Sequence, residues 1–218
     1  MATFTIGDIL TDVRLAVQDT DSASGYRYAD THLVRIINQA LQRTCLMRPD
    51  LFAKIATITL VAGREQTAPA DSIRIIEIYG TQSGANISEI NQDSLDLMFP
   101  TWEQNASATA QNWMRNVRNP NGFSVYPVST AGQQIIMEYS QSPPTYDTVT
   151  PVALIPNAYY VAILDASVWL VESIDNEHIS SGRAKMFQES FVQGLGLTAQ
   201  NKAVTDTYSG GADPKTVI

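Results

Sequence analysis

Residues 30–60 read DTHLVRIINQALQRTCLMRPDLFAKIATITL, and the change of period inside them decides the fold. Leu33, Ile36, Ile37, Ala40, Leu41 and Cys45 recur at helical spacing. That spacing predicts a helix from Asp30 that stops before Pro49, because a proline ring disfavours helix at the residue ahead of it. From Lys54 the pattern alternates instead, Ile55, Thr57 and Thr59 against Ala56, Ile58 and Leu60. A period of two belongs to a strand whose faces meet different surroundings. Helix therefore gives way to sheet near residue 54.

Towards the N-terminus a second helix is signalled. Thr5 suits an N-cap, Asp8 the matching position of a capping box, and Phe4 can staple onto Ile9. Ile6, Ile9, Leu10, Val13 and Val17 form one stripe, and the turn formers of Asp19 to Gly25 end it. The two helices are expected to pair antiparallel.

Towards the C-terminus Ile73 to Tyr79 is β-branched and bounded by Pro69 and Gly80, with Gly63 suited to the preceding turn. Asp93 to Phe99 reads as a short helix capped by Asn91 or Asp93 and stopped by Pro100. Trp113–Val117, Phe123–Tyr126 and Gln134–Tyr139 read as strands separated by Asn119-Pro120-Asn121-Gly122 and Ala131-Gly132, sequences of hairpin type, so the middle is expected to be an antiparallel sheet. Residues 157–174 are apolar on nearly every side and contain Asp165 and Glu172, which suits a buried core helix, and a last helix is expected over about 177–200. Beyond Gln200 the chain has no periodicity and contains Gly210-Gly211 and Pro214.

The expected fold class is α+β, mainly helical: a four-helix bundle built from both chain ends, a small inserted antiparallel β subdomain and an extended C-terminal arm. The expected domains are 1–54 and 151–203 as the helical pairs, 55–150 as the β-rich insert and 204–218 as the arm.

Composition excludes disorder, since 44% of the 218 residues are hydrophobic and 17% charged. The net charge of -8 opposes a nucleic-acid grip, which needs a basic patch to displace phosphate counterions. Residues 1–60 balance six acids against six bases, so the whole acid surplus lies after them. No stretch is apolar enough to span a bilayer and the N-terminus lacks a signal-peptide pattern, so neither membrane insertion nor secretion is expected. The one cysteine, Cys45, reads as a buried small hydrophobe in a reducing compartment.

Chemistry has little to work with. Glu172, Asp175, Glu177 and His178 make the most metal-like group, at a spacing that matches no ligand pattern, and acids near a helix start are favoured by its dipole alone. Gly194-Leu195-Gly196-Leu197-Thr198-Ala199 fits a dinucleotide fingerprint in letters only, because it ends a helix instead of joining a strand to one. Arg115 and Arg118 with Trp113, and Tyr26-Arg27-Tyr28, suit packed aromatics with snorkelling arginines better than base stacking. No catalytic, metal or cofactor residue is assigned.

The order of several turn and packing residues carries more. Asp19-Thr20 precedes Tyr28-x-Asp30, Asn38-x-x-Leu41 lies on the following helix, and Arg48-Pro49-Asp50 comes after it. Gln66-Thr67-x-Pro69, Arg118-Asn119-Pro120, Phe123-x-Val125-Tyr126-Pro127 with Gly132, and Tyr139-Ser140-x-x-Pro143-Pro144 continue the series. Over about residues 6–200 this resembles the head-to-tail connector (adaptor) proteins of tailed bacteriophages. The resemblance implies a structural virion protein without enzymatic activity, located at the head-tail interface and assembled in the host cytoplasm. Such a protein forms a dodecameric homo-oligomeric ring, docks to the portal protein and to a tail or nozzle protein, and surrounds genome DNA without sequence-specific binding. Portal docking is then expected of Tyr208, Val217 and Ile218 in the arm. Glu89, Asp93 and Asp96 are expected to face the channel and repel phosphate, the alternative being acids that only keep the subunit soluble. A tail-completion or nozzle protein of the same particle, and an enzyme using the Glu172 group, are the competing readings.

Overall fold

The capping box forms as its residue types require. Thr5 Oγ1 accepts from the Asp8 N–H at 3.1 Å and Asp8 Oδ2 accepts from the Thr5 N–H at 2.8 Å, which opens α1 (Ile6–Ala16). The Thr5 backbone bond holds the Asp8 carboxyl below its usual range. The computed structural model describes residues 4–23, 25–152, 154–174 and 181–196. The chain divides into two compact units, one of residues 1–44 with 144–218 and one of residues 45–143.

In the first unit lie α1, most of α2 (Asp30–Met47), α4 (Tyr160–Ile174) and α5 (Ser181–Gly194). Ile6, Ile9 and Val13 are fully buried, and α1 packs on α4, which packs in turn on α5. Gly194 allows that last approach, since a Cβ there would come 3.1 Å from the Ala162 Cβ. The Phe4 and Tyr160 rings meet edge to face at 5.2 Å, and Tyr160 donates to Asp12 Oδ2 at 2.5 Å. The segment after Pro144 runs beside the N-terminus, with Gly7 N–H donating to the Thr148 carbonyl at 3.0 Å and Val152 N–H to the Phe4 carbonyl at 2.8 Å.

The second unit holds two sheets. One has the order β1 (Ala53–Thr59), β8 (Gln134–Gln141), β3 (Ser72–Thr81), antiparallel throughout. The other has the order β2 (Ala62–Thr67), β7 (Gly122–Thr130), β6 (Asn112–Arg115), β4 (Ser88–Glu89), with β5 (Ala106–Ser107) beside β7. Its β4–β6 and β5–β7 pairings are parallel. One core joins the sheets: Ile75, Ile78, Ile135 and Met137 pack with Trp113, Phe123 and Val125. The short helix α3 (Gln92–Met98) is capped by Asn91, whose side chain accepts from Asp93 N–H at 3.0 Å.

The four-helix bundle with a small inserted β subdomain is thus overturned. Among the described residues there are five α-helices and eight strands in two sheets, and the β unit is comparable in size to the helical one. The single antiparallel sheet fails too. Ala131-Gly132 does not close a hairpin but carries the chain from one sheet to the other, as does Leu60-Val61. The two crossings are tied by Leu60 N–H to the Gln133 carbonyl at 2.8 Å and Gly132 N–H to the Leu60 carbonyl at 3.0 Å. Gly63 belongs to a bulge in β2, a strand that the alternation rule missed because Gly63 and Glu65 are poor strand formers.

One close approach gives a sharp expectation. A Cβ on Gly80 would lie 2.5 Å from the Ala85 carbonyl oxygen, which also accepts from Thr81 N–H at 2.7 Å. Gly80→Ala should therefore cost about 1–3 kcal/mol in urea unfolding, since backbone has to move against backbone.

Candidate functional site

Several residues that carry the adaptor resemblance, Asp19, Asn38 and Gln66 among them, pin backbone by their side chains. In the first unit Arg14 is only 5% exposed, and its guanidinium reaches Asp19 Oδ2 at 2.5 Å, the Tyr28 carbonyl at 2.8 Å and Asp30 Oδ1. Asp19 accepts in addition from the Arg27 and Tyr28 N–H groups at 2.8 and 3.2 Å. The Tyr26 ring covers the cation at 3.7 Å. The loop between α1 and α2 is thereby folded around one buried cation. Asn38 holds Tyr146 by both its N–H and its carbonyl, at 2.8 and 3.0 Å.

The second unit repeats the device. Arg48 grips Asp50 through two nitrogens, at 2.9 and 2.6 Å, and lowers that carboxyl. Gln66 bonds the Val61 N–H and carbonyl and the Gly63 carbonyl, which fixes the β2 bulge. Asn121 Nδ2 donates to the Ser72 carbonyl at 2.7 Å. The Tyr139 hydroxyl donates to Asp71, which also takes Lys54 Nζ at 3.0 Å.

Cys45 is fully buried, with its sulfur 3.6 Å from Ser140 Oγ. Burial pushes its thiol up, against a smaller opposing pull from the Ser140 hydrogen bond. Folded protein at neutral pH should resist iodoacetamide, and mass spectrometry should find one alkylated cysteine only after denaturation.

The second unit also carries an open cleft of about 800 Å³. Arg64, Arg115 and Arg118 line it with Glu65, Glu89 and Asp93, three charges of each sign. Glu89 is paired with Arg115, Nε to Oε1 at 3.1 Å, and the same guanidinium donates to the Ile75 and Ile76 carbonyls at 2.6 and 3.0 Å. Asp93 is exposed in the first turn of α3. Asp96 accepts from Trp102 Nε1 at 2.6 Å and does not line the cleft. The three acids thus differ: one neutralised by an arginine, one open to solvent and one tied to an indole.

Tyr208, Val217 and Ile218 lie outside the described residues, as do Asp175, Glu177 and His178. Glu172 is described and pairs with Arg183 at 3.3 Å, an ordinary helix-to-helix ion pair. Among the described residues no group of three His, Cys, Asp or Glu side chains could hold a metal ion. None of the described helices is long and apolar enough to cross a membrane. Gly194 ends α5, so the dinucleotide-like letters have no strand before them.

Sequence reasoning missed Arg14 and Arg115 as structural centres. A cation directly after the stripe residue Val13, with acids at 19 and 30, was the available signal for the first. Arg115 does cover the Trp113 ring, at 4.9 Å, as the snorkelling arginine expected there, but its bonds to the Ile75 and Ile76 carbonyls, 40 and 39 residues earlier, have no local signal.

A family model described as SU10 adaptor protein matches residues 4–215. No curated protein matches the chain.

Proposed function

The chain belongs to the SU10 adaptor protein family, and from that premise we propose that its copies close into a ring joining the portal of a phage capsid to the tail, around the path of the genome. Membership supports a phage structural protein, and such adaptors are typically non-enzymatic. The match over residues 4–215 is the observation that carries the reading. Exposed apolar side chains support it. Leu97 is 84% exposed, Val117 92% and Met186 69%, surface that an oligomer would cover. A heterologous contact that closes on itself is what a ring requires.

Native mass spectrometry of the purified chain, alone and with its portal, tests this. A ring that binds portal is the expected result, and a lasting monomer without portal affinity overturns it. In this reading the arm, 204–218, docks to the portal through Tyr208, Val217 and Ile218, and deleting it should abolish portal pull-down.

The acids Glu89, Asp93 and Asp96 are proposed to face the channel, where carboxylates repel phosphate over about 8 Å at physiological salt. Of the three, Asp93 has no hydrogen bond or ion pair from its carboxylate among the described residues, so it is the cleanest probe. Asp93→Lys should slow genome ejection while leaving the ring intact. Unchanged ejection from an intact ring would mean that Asp93 serves only solubility and the helix dipole.

A further inference from the structure

We infer that β1 is an assembly edge, completed by residues 203–209 of a second copy of this chain added as a further strand. The inference rests on the ring reading above, because it needs a neighbouring copy. It starts from how the second unit treats its sheet edges. An open, flat, β-branched edge is a template for another chain, and proteins blunt such edges unless they use them.

Among the described residues the edges other than β1 are blunted or very short. Along β3, Arg115 caps the Ile75 and Ile76 carbonyls, the Ile75 N–H is taken by the Pro120 carbonyl, and Gly80 bridges Asn86. The register of β3 on β8 also shifts three times. On the other sheet, β2 is bulged between Gly63 and Glu65 and pinned by Gln66, and β4 and β5 are only two residues long each.

No such device guards β1. Its seven residues pair with β8 without a register break, from Ala53 against Ser140 to Thr59 against Gln134. It contains no proline or glycine, and its one charge, Lys54, is paired with Asp71. Ile55 is 62% exposed, and Ala53, Thr57 and Thr59 are exposed as well. Among the described residues, the Ala53 N–H is taken by the Asp50 carbonyl at the start of the strand, and no side chain or loop bonds the outward backbone groups of Ile55, Thr57 and Thr59.

The length and composition of chain beyond α5 indicate the occupant. Residues 203–209 read AVTDTYS, of which Val204, Thr205, Thr207 and Tyr208 are strand-favouring types. Gly210-Gly211 and Pro214 follow and would end a strand. Seven residues match the seven of β1. The six residues 197–202 can span roughly 20 Å when extended. Donation from copy to copy is heterologous, so in a closed ring every edge receives one strand and every arm gives one. Val217 and Ile218 remain beyond the added strand for the portal.

The test mixes two full-length preparations, Thr57→Cys and Thr205→Cys, with Asp206→Cys as a neighbouring register and the buried Cys45 left in place. Mild thiol oxidation should give a mixed disulfide dimer on non-reducing gels, at least tenfold above a Thr109→Cys control placed off this edge. Dimers of Thr57→Cys with itself would mean β1 pairing to β1 and overturn the inference. So would a bond formed only within a doubly substituted chain, which means the arm folds back on its own sheet. An oligomer of ring size without the mixed bond overturns the donated strand and leaves the ring reading standing, whereas absence of any oligomer overturns both.

Discussion

Arg14→Ala is expected to destabilise the folded chain by about 3–5 kcal/mol, the range for breaking a buried ion pair from one side. The side chains of Arg14 and Asp19 are 7% and 5% exposed, so neither charge can fall back on bulk water. Removing the guanidinium leaves the Asp19 carboxylate buried with two backbone N–H donors, and frees the Tyr28 carbonyl and Asp30 at once. Arg14→Lys should recover less than half of the loss, because one ammonium cannot reach acceptors that a planar fork spans together. Asp19→Asn should cost less than Arg14→Ala, since its carbonyl oxygen still accepts from Arg27 N–H. Urea unfolding followed by circular dichroism gives all three differences, and a loss below about 1 kcal/mol for Arg14→Ala would show that solvent enters the site. The same variant should raise amide exchange across 19–30, because these bonds are what shape that loop.

The proposed ring depends on such pins through geometry. An adaptor has to present fixed surfaces to several neighbours, and a loop held by one buried cation offers a surface of defined shape. The adaptor-like sequence pattern is therefore made of structural residues. Asp19, Asn38 and Gln66 each fasten backbone within one unit, and the Tyr139 hydroxyl donates to the Asp71 carboxylate.

How much of this was legible in the residues follows from the range of each interaction. The capping box at Thr5 and Asp8 spans three residues, and the cap of α3 at Asn91 spans two, so both could be read locally. Alternation located β1, because period two reports which side chains share a face, and the β-branched run between Pro69 and Gly80 located β3. It does not report which strand lies alongside. Ala131 and Gly132 have φ of 84 and 88 degrees, which reads equally as a tight hairpin or as a corner between two sheets. The corner wins because β7 and β8 each bury a face in a common core. The acids were legible as a surplus but not as individuals, since the arginine that neutralises Glu89 is 26 residues away.

Asn38→Leu is the second large effect. Asn38 is 8% exposed and spends its whole amide: Nδ2 donates to the Val34 carbonyl at 2.9 Å and to the Tyr146 carbonyl at 3.0 Å, while Oδ1 accepts from the Tyr146 N–H at 2.8 Å. Leucine fills nearly the same volume, so the change isolates polarity from packing. It leaves the Tyr146 N–H and carbonyl inside the unit without a partner, at about 1–3 kcal/mol each, and a total of about 2–5 kcal/mol is expected in urea unfolding. The exposed neighbour Gln39→Leu should stay within about 0.5 kcal/mol. Asn38→Asp should be no rescue, because it keeps the acceptor for the Tyr146 N–H but turns a carboxylate oxygen on the Tyr146 carbonyl. The local consequence separates this pin from a general loss of stability. The strap after Pro144 reaches the N-terminus through Gly7 to Thr148 and Val152 to Phe4, and Asn38 fastens the strap just before those bonds. Hydrogen exchange at the Gly7 and Val152 amides should therefore rise more than tenfold in Asn38→Leu under conditions where the second unit keeps its protection. Equal acceleration in both units would mean that the substitution acts only through global unfolding, and would remove Asn38 as the residue that holds the strap.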